Sequence, residues 1–462
     1  MSFASAFFRQ IVHPAILARR GDLAQLRYER EFKRSQFFSA DQLRDLQMSR
    51  LRLLLNYAYR NCPFYRTRFQ RCGLHPEDIQ TLEDFSHFPI LEKRDIQQSV
   101  TEMIATNWPK SDLIPNHTGG STGTPLPLFL SRDRKCSRAA ATLRHNSWAG
   151  WNPGDRSAVI WGAAADMPLD NWTTKLRRWL LREPIWLNAA ELTERSMHQF
   201  HLALLRYRPR IIQAYARSAA LFAQWLEMSK LQPYRPHAII TTAEVLDQST
   251  RTTLERVFQC PVFNRYGCRE VSVIASECEA HQGMHIMAEG LYLEIDHTRF
   301  SDITNQAGCI LVTDLLNFAM PLIRYRIGDI GSWASGACPC GRQLPRLQQI
   351  QGRVTDFLVG SDGRLVSGVV LATYVVGNRP SLGQVQIRQI RPGHVIYRVR
   401  PGCTFDPVAD RNYLLEATRA YLGSVASADV EVVSDLPASA SGKYLFSHSQ
   451  VAIQVLLDMK HQ

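Results

Sequence analysis

The sequence predicts an α/β protein with a large N-terminal domain, residues 1–355, and a small α+β C-terminal domain, residues 356–462. At 462 residues the chain is too long for one compact core. From residue 132 onward, apolar runs alternate with helical stretches, a pattern typical of parallel strands joined by crossover helices. Beyond residue 285, short strands and polar turns indicate an antiparallel section, which ends at a boundary near 353–357.

The predicted elements follow in chain order. Residues 40–100 repeat apolar side chains at helical spacing and predict helices. SAVIWGAA, RIIQAY, HAIITTAEVL and CPVFNRYG predict buried strands, while SAALFAQWLEMSK and residues 248–258 predict helices between them. GLYLEI, GCILVTDL and DIGSW predict a small barrel-like section. In the small domain, QVQIRQIRPGHVIYRVRPG predicts a hairpin, which a helix (DRNYLLEATRAYLG) and a strand (DVEVVSD) follow.

Composition favours a soluble globular protein that binds an anionic ligand. With 45% hydrophobic and 21% charged residues, the chain is typical of a soluble globular protein. We find no apolar run near the roughly 18 residues of a membrane span, and no convincing signal peptide, so we expect a cytoplasmic protein with reduced cysteines. The net charge of +12 favours anionic ligands. Because this charge is spread without a dense Lys/Arg run, it favours a polyphosphate ligand and no nucleic acid.

A glycine-rich loop, HTGGSTGTP at residues 117–125, is the first candidate binding site. Glycine lets backbone N–H groups approach a ligand closely, and successive N–H groups form a nest for anions. The hydroxyls of Ser121, Thr122 and Thr124, on either side of Gly123, add donors. The loop lacks the lysine that closes a Walker P-loop, so it predicts a different kind of phosphate site.

Four further motifs follow this loop in a fixed order. They are NRYGCRE at 264–270, RYRIGD at 324–329, GRVTD at 352–356 and SGK at 441–443. Each motif is weak alone, because a carboxylate beside a glycine turn or a lysine in a polar loop is common. Their joint order, with a predicted domain boundary after the third, is a much more specific signal.

This ordered set resembles the adenylate-forming superfamily of acyl-CoA synthetases, luciferases and adenylation domains. The stretches NYAYRNCPFYRTRF and LEDFSHFPILEKRDI are similar to its phenylacetate–CoA ligase-like and CapK-like branch. The resemblance implies an adenylate-forming large domain, a mobile small domain and a homodimer. It also implies that a small carboxylic acid attacks the α-phosphate of ATP, giving acyl-AMP and pyrophosphate. A nucleophile, commonly the thiol of CoA, then displaces AMP.

The resemblance also implies roles for the charged residues. The loop residues Ser121, Thr122, Gly123 and Thr124 would cradle the phosphates. Glu270 would hold Mg²⁺, which prefers hard oxygen ligands. Lys443 would be the catalytic lysine that bridges the acyl carboxylate and the α-phosphate, and Arg353 would reach the ribose or phosphate side. Asp356 would be the hinge about which the small domain rotates.

Other residues would contact the nucleoside. By the same resemblance, Ala243 and Glu244 would lie beside adenine, Tyr266 and Gly267 would lie near the ring, and Asp329 would accept hydrogen bonds from the ribose hydroxyls. Arg269 stands where the family usually has a threonine that helps to bind the α-phosphate, so its guanidinium either replaces that hydroxyl or points away. Trp148, Trp151, Trp161 and Tyr215 are candidates to line an acyl pocket.

A set of cysteines and histidines predicts a structural Zn²⁺ site. Cys278 is followed by His281 and His285, and Cys338 and Cys340 come more than fifty residues later. Three thiolates and one of the two imidazoles would close a tetrahedral site, which joins two loops and leaves no open position for catalysis. The alternative is a set of buried free thiols.

The leading hypothesis is therefore an ATP-dependent acyl- or aryl-CoA ligase that uses Mg²⁺. A second keeps adenylation but passes the acyl group to an amine, a hydroxyl or a carrier-protein thiol in polysaccharide or natural-product biosynthesis. A silent nucleotide- or zinc-binding scaffold is a third. A nucleic-acid-binding zinc protein is a fourth, which only the charge and the Cys/His set favour.

Overall fold

The structure is a computed structural model of the chain. It describes residues 3–117, 126–161, 182–189, 192–297, 307–353, 357–363, 365–367, 371, 375–376, 379–436, 447–449 and 451. In these ranges, no helix has both the length and the apolar character needed to cross a membrane. All ten cysteines are free thiols.

Helices make up the N-terminal part, as the periodicity of residues 40–100 predicts. They are α1 (Phe3–Phe7), a π-helical turn (Phe8–Val12), α2 (His13–Arg20), α3 (Ala24–Ser35), α4 (Ala40–Asn61), α5 (Pro63–Arg71), α6 (Leu82–Ser86) and α7 (Lys93–Met103), with 3₁₀ turns at Pro76–Asp78 and Lys110–Asp112. Ser39 begins α4 with a capping box, since its hydroxyl accepts the N–H of Gln42 and the Gln42 side chain accepts the N–H of Ser39. Pro63 begins α5 at a position where its missing N–H costs nothing.

A short antiparallel pair and a long helix lead into the main sheet. The pair is β1 (Ile114–His117) and β2 (Pro127–Leu130), with His117 opposite Pro127, and α8 (Arg132–Trp148) follows. Ser131 caps α8, because its hydroxyl accepts the N–H of Arg134. The loop 118–125, which joins the two paired strands, lies outside the described residues.

Parallel strands and crossover helices then alternate, which confirms the predicted α/β pattern. The parallel strands are β3 (Ser157–Trp161), β4 (Ile185–Asn188), β5 (Ile211–Tyr215), β6 (Ala238–Thr242) and β7 (Val262–Cys268). The helices are α9 (Glu194–Tyr207), α10 (Ala216–Met228) and α11 (Gln248–Phe258). Apolar residues of all three helices pack on this part of the sheet in one core.

The sheet continues with antiparallel strands. They are β8 (Ser272–Glu277), β9 (Met284–Ile286), β10 (Leu291–Asp296), β11 (Ala307–Asp314), β12 (Tyr325–Trp333) and β13 (Arg346–Arg353). Among the described residues, the sheet has eleven strands in the order β10–β11–β12–β13–β9–β8–β7–β6–β5–β3–β4. A second core joins these antiparallel strands to the N-terminal helices and α8.

The antiparallel half of the sheet is strongly curved. In the sheet order, β12 lies four places from β7, and four spacings of about 4.8 Å would separate them by about 19 Å in a flat sheet. The Tyr266 hydroxyl, on β7, nevertheless lies 2.7 Å from Asp329, on β12. The strands between them must therefore curl, which gives the barrel-like wall that the sequence predicts.

The C-terminal part has its own sheet and core. Its elements are β14 (Phe357–Val359), β15 (Leu365–Ser367), a 3₁₀ turn (Pro380–Leu382), β16 (Gln384–Arg391), β17 (His394–Arg400), α12 (Pro407–Leu422), β18 (Ser427–Val432) and β19 (Ser447–Ser449). The β16–β17 hairpin alternates buried and exposed side chains, as predicted. Four strands in the order β18–β17–β16–β19 form an α+β unit with α12. The exact domain boundary stays a prediction, because residues 354–356 lie outside the described ranges.

Candidate active site

Two motif carboxylates meet two tyrosines where β7 ends. The Tyr266 hydroxyl donates to Asp329 Oδ2 at 2.7 Å. The Tyr325 hydroxyl donates to Glu270 Oε1 at 3.3 Å. The structure therefore brings together residues from the NRYGCRE and RYRIGD motifs, which lie about sixty positions apart in the chain. Each carboxylate therefore has one oxygen held by a tyrosine hydroxyl, which helps to fix its orientation.

Glycines are required at two turns in these motifs. A Cβ atom on Gly267 would lie 2.5 Å from the carbonyl oxygen of Ser272, because the β7–β8 hairpin is narrow there. Gly328 has φ +93°, which other residues rarely adopt, immediately before Asp329. Both positions therefore need glycine so that the backbone can present the neighbouring carboxylates.

Burial controls the protonation of the groups next to Glu270. Burial, and then the charge of Glu270, raise the pKa of Tyr325 well above its usual value, so its hydroxyl remains a donor at neutral pH. Burial likewise raises the pKa of Cys268, with the Glu270 charge adding to the effect. Cys268 is therefore a neutral thiol and unsuited to act as a nucleophile.

The segment predicted to lie beside adenine has a strained turn. Ala243, just after β6, adopts a left-handed conformation with φ +68°, which costs about 1–3 kcal/mol for a residue with a side chain. The turn brings Glu244 to the start of α10, where its carboxylate accepts the N–H of Arg217 at 2.8 Å. Because Tyr215 gives this helix no side-chain cap, Glu244 supplies one. The role of Ala243 and Glu244 beside adenine stays a prediction.

Register brings one more predicted residue to the site. Arg353 lies directly opposite Asp329 in the antiparallel pair β12–β13; only its backbone is described. Ser121, Thr122, Gly123, Thr124, Asp356 and Lys443 lie outside the described residues, and their roles stay predictions. The strand that leads into the glycine-rich loop does reach the site, because Asn116 Nδ2 donates to the Arg269 carbonyl at 2.7 Å.

The Cys/His set forms a compact cluster away from the two carboxylates, where residues that follow β8 and β12 meet β9. Ligand atoms of Cys278, His285, Cys338 and Cys340 all lie within 4.8 Å of one another. His285 Nδ1 donates to the Leu344 carbonyl at 3.1 Å, which directs Nε2 toward Cys340 Sγ at 3.3 Å. This arrangement fits a structural Zn²⁺ site, since a bound histidine normally donates its other ring nitrogen to such an acceptor.

His285, and not His281, is the histidine that meets the thiols. His281 lies in a turn with φ +50°, and its Nδ1 contacts Glu277 at 3.1 Å. Burial lowers the pKa of His285 to about 4, so its ring is neutral and can coordinate a cation. Burial raises the pKa of Cys340, but hydrogen bonds from Arg342, together with those from Cys338 and Cys278, outweigh that effect and lower the pKa overall.

The four aromatic candidates for an acyl pocket lie in three different places. Trp161 and Tyr215, at the ends of β3 and β5, form a tilted ring pair with centroids 4.5 Å apart. Trp148 instead lies beside the Cys/His cluster, with its ring centroid 5.7 Å from that of His285. Trp151 donates to the Asp155 carbonyl and packs in a small core under the parallel sheet. Their contacts assign Trp148 and Trp151 to these sites, so the expectation that they line the pocket is not supported.

Tyr325 is the site residue that the sequence motifs did not single out. It lies four positions before Asp329 on β12, but the positive φ of Gly328 and a register irregularity between Arg326 and Ile330 interrupt the alternation of the strand. Strand alternation alone therefore does not identify Tyr325 from the assignment of Asp329.

Comparison with known proteins gives relatives in sequence and in structure. No family model matches the chain. Phenylacetate–coenzyme A ligase of Pseudomonas putida is 27% identical over 330 residues, 70% of this chain and 73% of that protein. Protein CapK of Staphylococcus aureus is 24% identical over 439 residues, 92% of each chain. The crystal structure of 2-hydroxyisobutyryl-CoA ligase in the postadenylation state has a TM-score of 0.72 at 20% identity, covering 93% of this chain and 94% of that one.

The fold of the chain matches that of this CoA ligase along nearly the whole length of both chains. In sequence, the chain is similar to phenylacetate–CoA ligase over 70% of its length and to protein CapK over 92% of its length. The resemblance drawn from the sequence motifs is thereby confirmed at the level of superfamily and branch.

Proposed function

We propose that the chain activates a small carboxylic acid with ATP and Mg²⁺, and transfers the acyl group from acyl-AMP to CoA. The observation that carries this proposal is a pair of carboxylates, each of which accepts a hydrogen bond from a tyrosine hydroxyl. Tyr266 orients Asp329 and Tyr325 orients Glu270 at one end of the sheet. One acidic group can thus accept ribose hydroxyls while the other binds a hard cation, which is the division of labour that adenylation requires.

The reaction joins two anions, so charge control is its main demand. The carboxylate oxygen attacks the α-phosphorus, the bond to the bridging oxygen breaks, and pyrophosphate leaves. Mg²⁺ bound at Glu270 would offset charge on the phosphate oxygens. Lys443 would counter the repulsion between the carboxylate and the α-phosphate, and the loop 121–124 would donate N–H groups to the phosphates. Rotation at Asp356 would then admit the thiol of CoA.

The Cys/His cluster would hold Zn²⁺ in a structural role. Cys278, His285, Cys338 and Cys340 fill four coordination positions and leave none for substrate. Such a cluster needs reduced cysteines, which agrees with the proposed cytoplasmic location.

A different acyl acceptor is the alternative. The similarity to CapK spans 92% of the chain, whereas that to phenylacetate–CoA ligase spans 70%. CoA as the acceptor therefore rests on the shorter match. An amine, a hydroxyl or a carrier-protein thiol would use the same adenylation site.

Exchange of labelled pyrophosphate into ATP, run with a panel of carboxylic acids, tests the first half-reaction. We expect acid-dependent exchange that does not need CoA. Thioester formation with CoA would then support the ligase, while exchange without thioester would support the alternative acceptor. Failure of every acid in the panel would contradict adenylation.

Lys443→Ala should abolish most exchange while ATP binding persists, because the lysine is proposed to act on the acid and the α-phosphate together. The measurement compares exchange rate with ATP affinity from calorimetry. Lys460→Ala, which changes a neighbouring terminal lysine outside the motif, is the control. Wild-type exchange in Lys443→Ala would show that the lysine assignment is wrong.

A further inference from the structure

Three consecutive backbone carbonyls, of residues 269–271, are bound by side chains from other elements. The donors come from β1 and from one face of α8, and all three reach the turn that carries Glu270. Asn116 Nδ2 donates to Arg269 O (2.7 Å), Arg138 Nη1 to Arg269 O (3.4 Å), Arg138 Nη2 to Glu270 O, and Arg134 Nη2 to Val271 O (3.2 Å). Because each peptide plane in the turn has a donor, the backbone direction of Glu270 is fixed.

Helix α8 places the two arginines together. Arg134 and Arg138 are four residues apart, so their side chains lie on the same face one turn apart. Arg134 Nε lies 2.8 Å from Asp314 Oδ2, and both side chains are buried. Arg138 lies 3.9 Å from the same carboxylate. The two guanidinium groups therefore share one carboxylate.

Burial of Arg138 needs an explanation beyond packing. A guanidinium loses its hydration when it is buried, and an apolar residue would fill the same volume without that cost. Arg138 is 3.9 Å from Asp314, and its hydrogen bonds go instead to the carbonyl oxygens of Arg269 and Glu270. Hydrogen bonds from a charged donor are roughly twice as strong as neutral ones, so these bonds hold the turn firmly.

We propose that Arg138 is a positioning residue. Together with Asn116 as a second donor, it fixes the backbone at Glu270 in the orientation that lets the Glu270 carboxylate bind the metal ion of Mg·ATP. This inference rests on the proposed function, in which Glu270 binds Mg²⁺. Arg138 donates to backbone carbonyls of the turn, while Tyr325 orients the Glu270 carboxylate. Arg138 therefore acts through Glu270 and needs no contact with substrate.

The test measures how much free Mg²⁺ the first half-reaction needs. Changes next to a metal ligand typically cost 10–100-fold in metal affinity, so Arg138→Gln should raise the half-saturating Mg²⁺ by about 10-fold or more. Arg138→Lys, which keeps the charge but loses the paired donors, should show a smaller rise, and so should Asn116→Ala. Arg132→Gln is the control, because this exposed arginine on the same helix donates to the Arg20 carbonyl and not to the turn.

Two further measurements separate positioning from general damage. Calorimetry of ATP binding, with Mg²⁺ and with EDTA, should show that Arg138→Gln weakens only the Mg²⁺-dependent part. The thermal midpoint should stay close to wild type, because Asp314 keeps Arg134 as its partner. If Arg138→Gln does not fold, Asn116→Ala decides, since it removes one bond and no buried charge.

Glu270→Gln distinguishes the two levels of the proposal. An unchanged Mg²⁺ requirement in Glu270→Gln would overturn the metal assignment, and the positioning role with it. The positioning role alone would be overturned if Glu270→Gln raises the Mg²⁺ requirement while folded Arg138→Gln keeps the wild-type requirement. Where Arg138→Gln fails to fold, a wild-type Mg²⁺ requirement in Asn116→Ala would have the same meaning.

Discussion

At the scale of single residues, hydroxyl groups set the orientation of the acidic site. Tyr266 and Tyr325 donate to Asp329 and Glu270 from different strands, and neither phenol is close to its partner in sequence. The sequence motifs identify the two carboxylates because an acidic residue close to a glycine can be recognised from the sequence alone. They do not reveal the partners, because these depend on how far the sheet curls between β7 and β12.

Removing one phenol should separate orientation from chemistry. Tyr266→Phe leaves Asp329 without its donor at 2.7 Å, a bond to a charged group worth about 1.5–3 kcal/mol. We expect the KM for ATP to rise by roughly 10-fold while kcat changes little, because the proposed contact of Asp329 with the ribose would be made equally in the ground and transition states. Tyr57→Phe, which removes a hydroxyl that donates to Asn107, is the control. A fall in kcat with unchanged KM would contradict this role.

At the scale of elements, hydrophobic periodicity predicts the strands and helices, but local spacing does not resolve the choice of ligand. His281 and His285 are four positions apart, and either could complete a zinc site. The turn at Gly283, with φ +86°, separates them, so His285 enters β9 opposite Arg346 while His281 stays with Glu277. A backbone angle that no side-chain pattern reveals therefore decides between the two ligands.

Metal analysis of two matched variants tests this choice. The wild-type chain should contain roughly one zinc, since four protein ligands close a structural site. His285→Ala should lose most of that zinc and unfold at lower temperature, because zinc binding contributes folding free energy. His281→Ala, the control, should keep the metal. Full zinc content in His285→Ala, or a metal-free wild-type protein that is equally stable, would contradict the site.

At the scale of the whole molecule, a buried ion pair and a buried hydrogen bond, both to Glu289, tie helices α8 and α3 to the sheet. Glu289, in the turn between β9 and β10, accepts from Arg144 of α8 at 2.6 Å and from Ser35 of α3. The side chains of Glu289 and Arg144 are 0% and 2% exposed. The sequence shows that these helices exist, but it does not show which face of the sheet they cover, because the contacts span more than a hundred positions.

Loss of Glu289 should therefore loosen the whole N-terminal layer. Removing one partner of a buried ion pair leaves a charge without compensation and typically costs about 3–5 kcal/mol. We expect Glu289→Ala to lower the free energy of unfolding by about that amount in denaturant titrations. Glu227→Ala, which breaks an exposed pair with Arg256, should cost no more than about 1 kcal/mol. A second substitution, Arg144→Met, added to Glu289→Ala should restore part of the lost stability because it removes the unpaired charge. Equal stability of Glu289→Ala and Glu227→Ala would show that the Arg144–Glu289 pair does not hold the helices on the sheet.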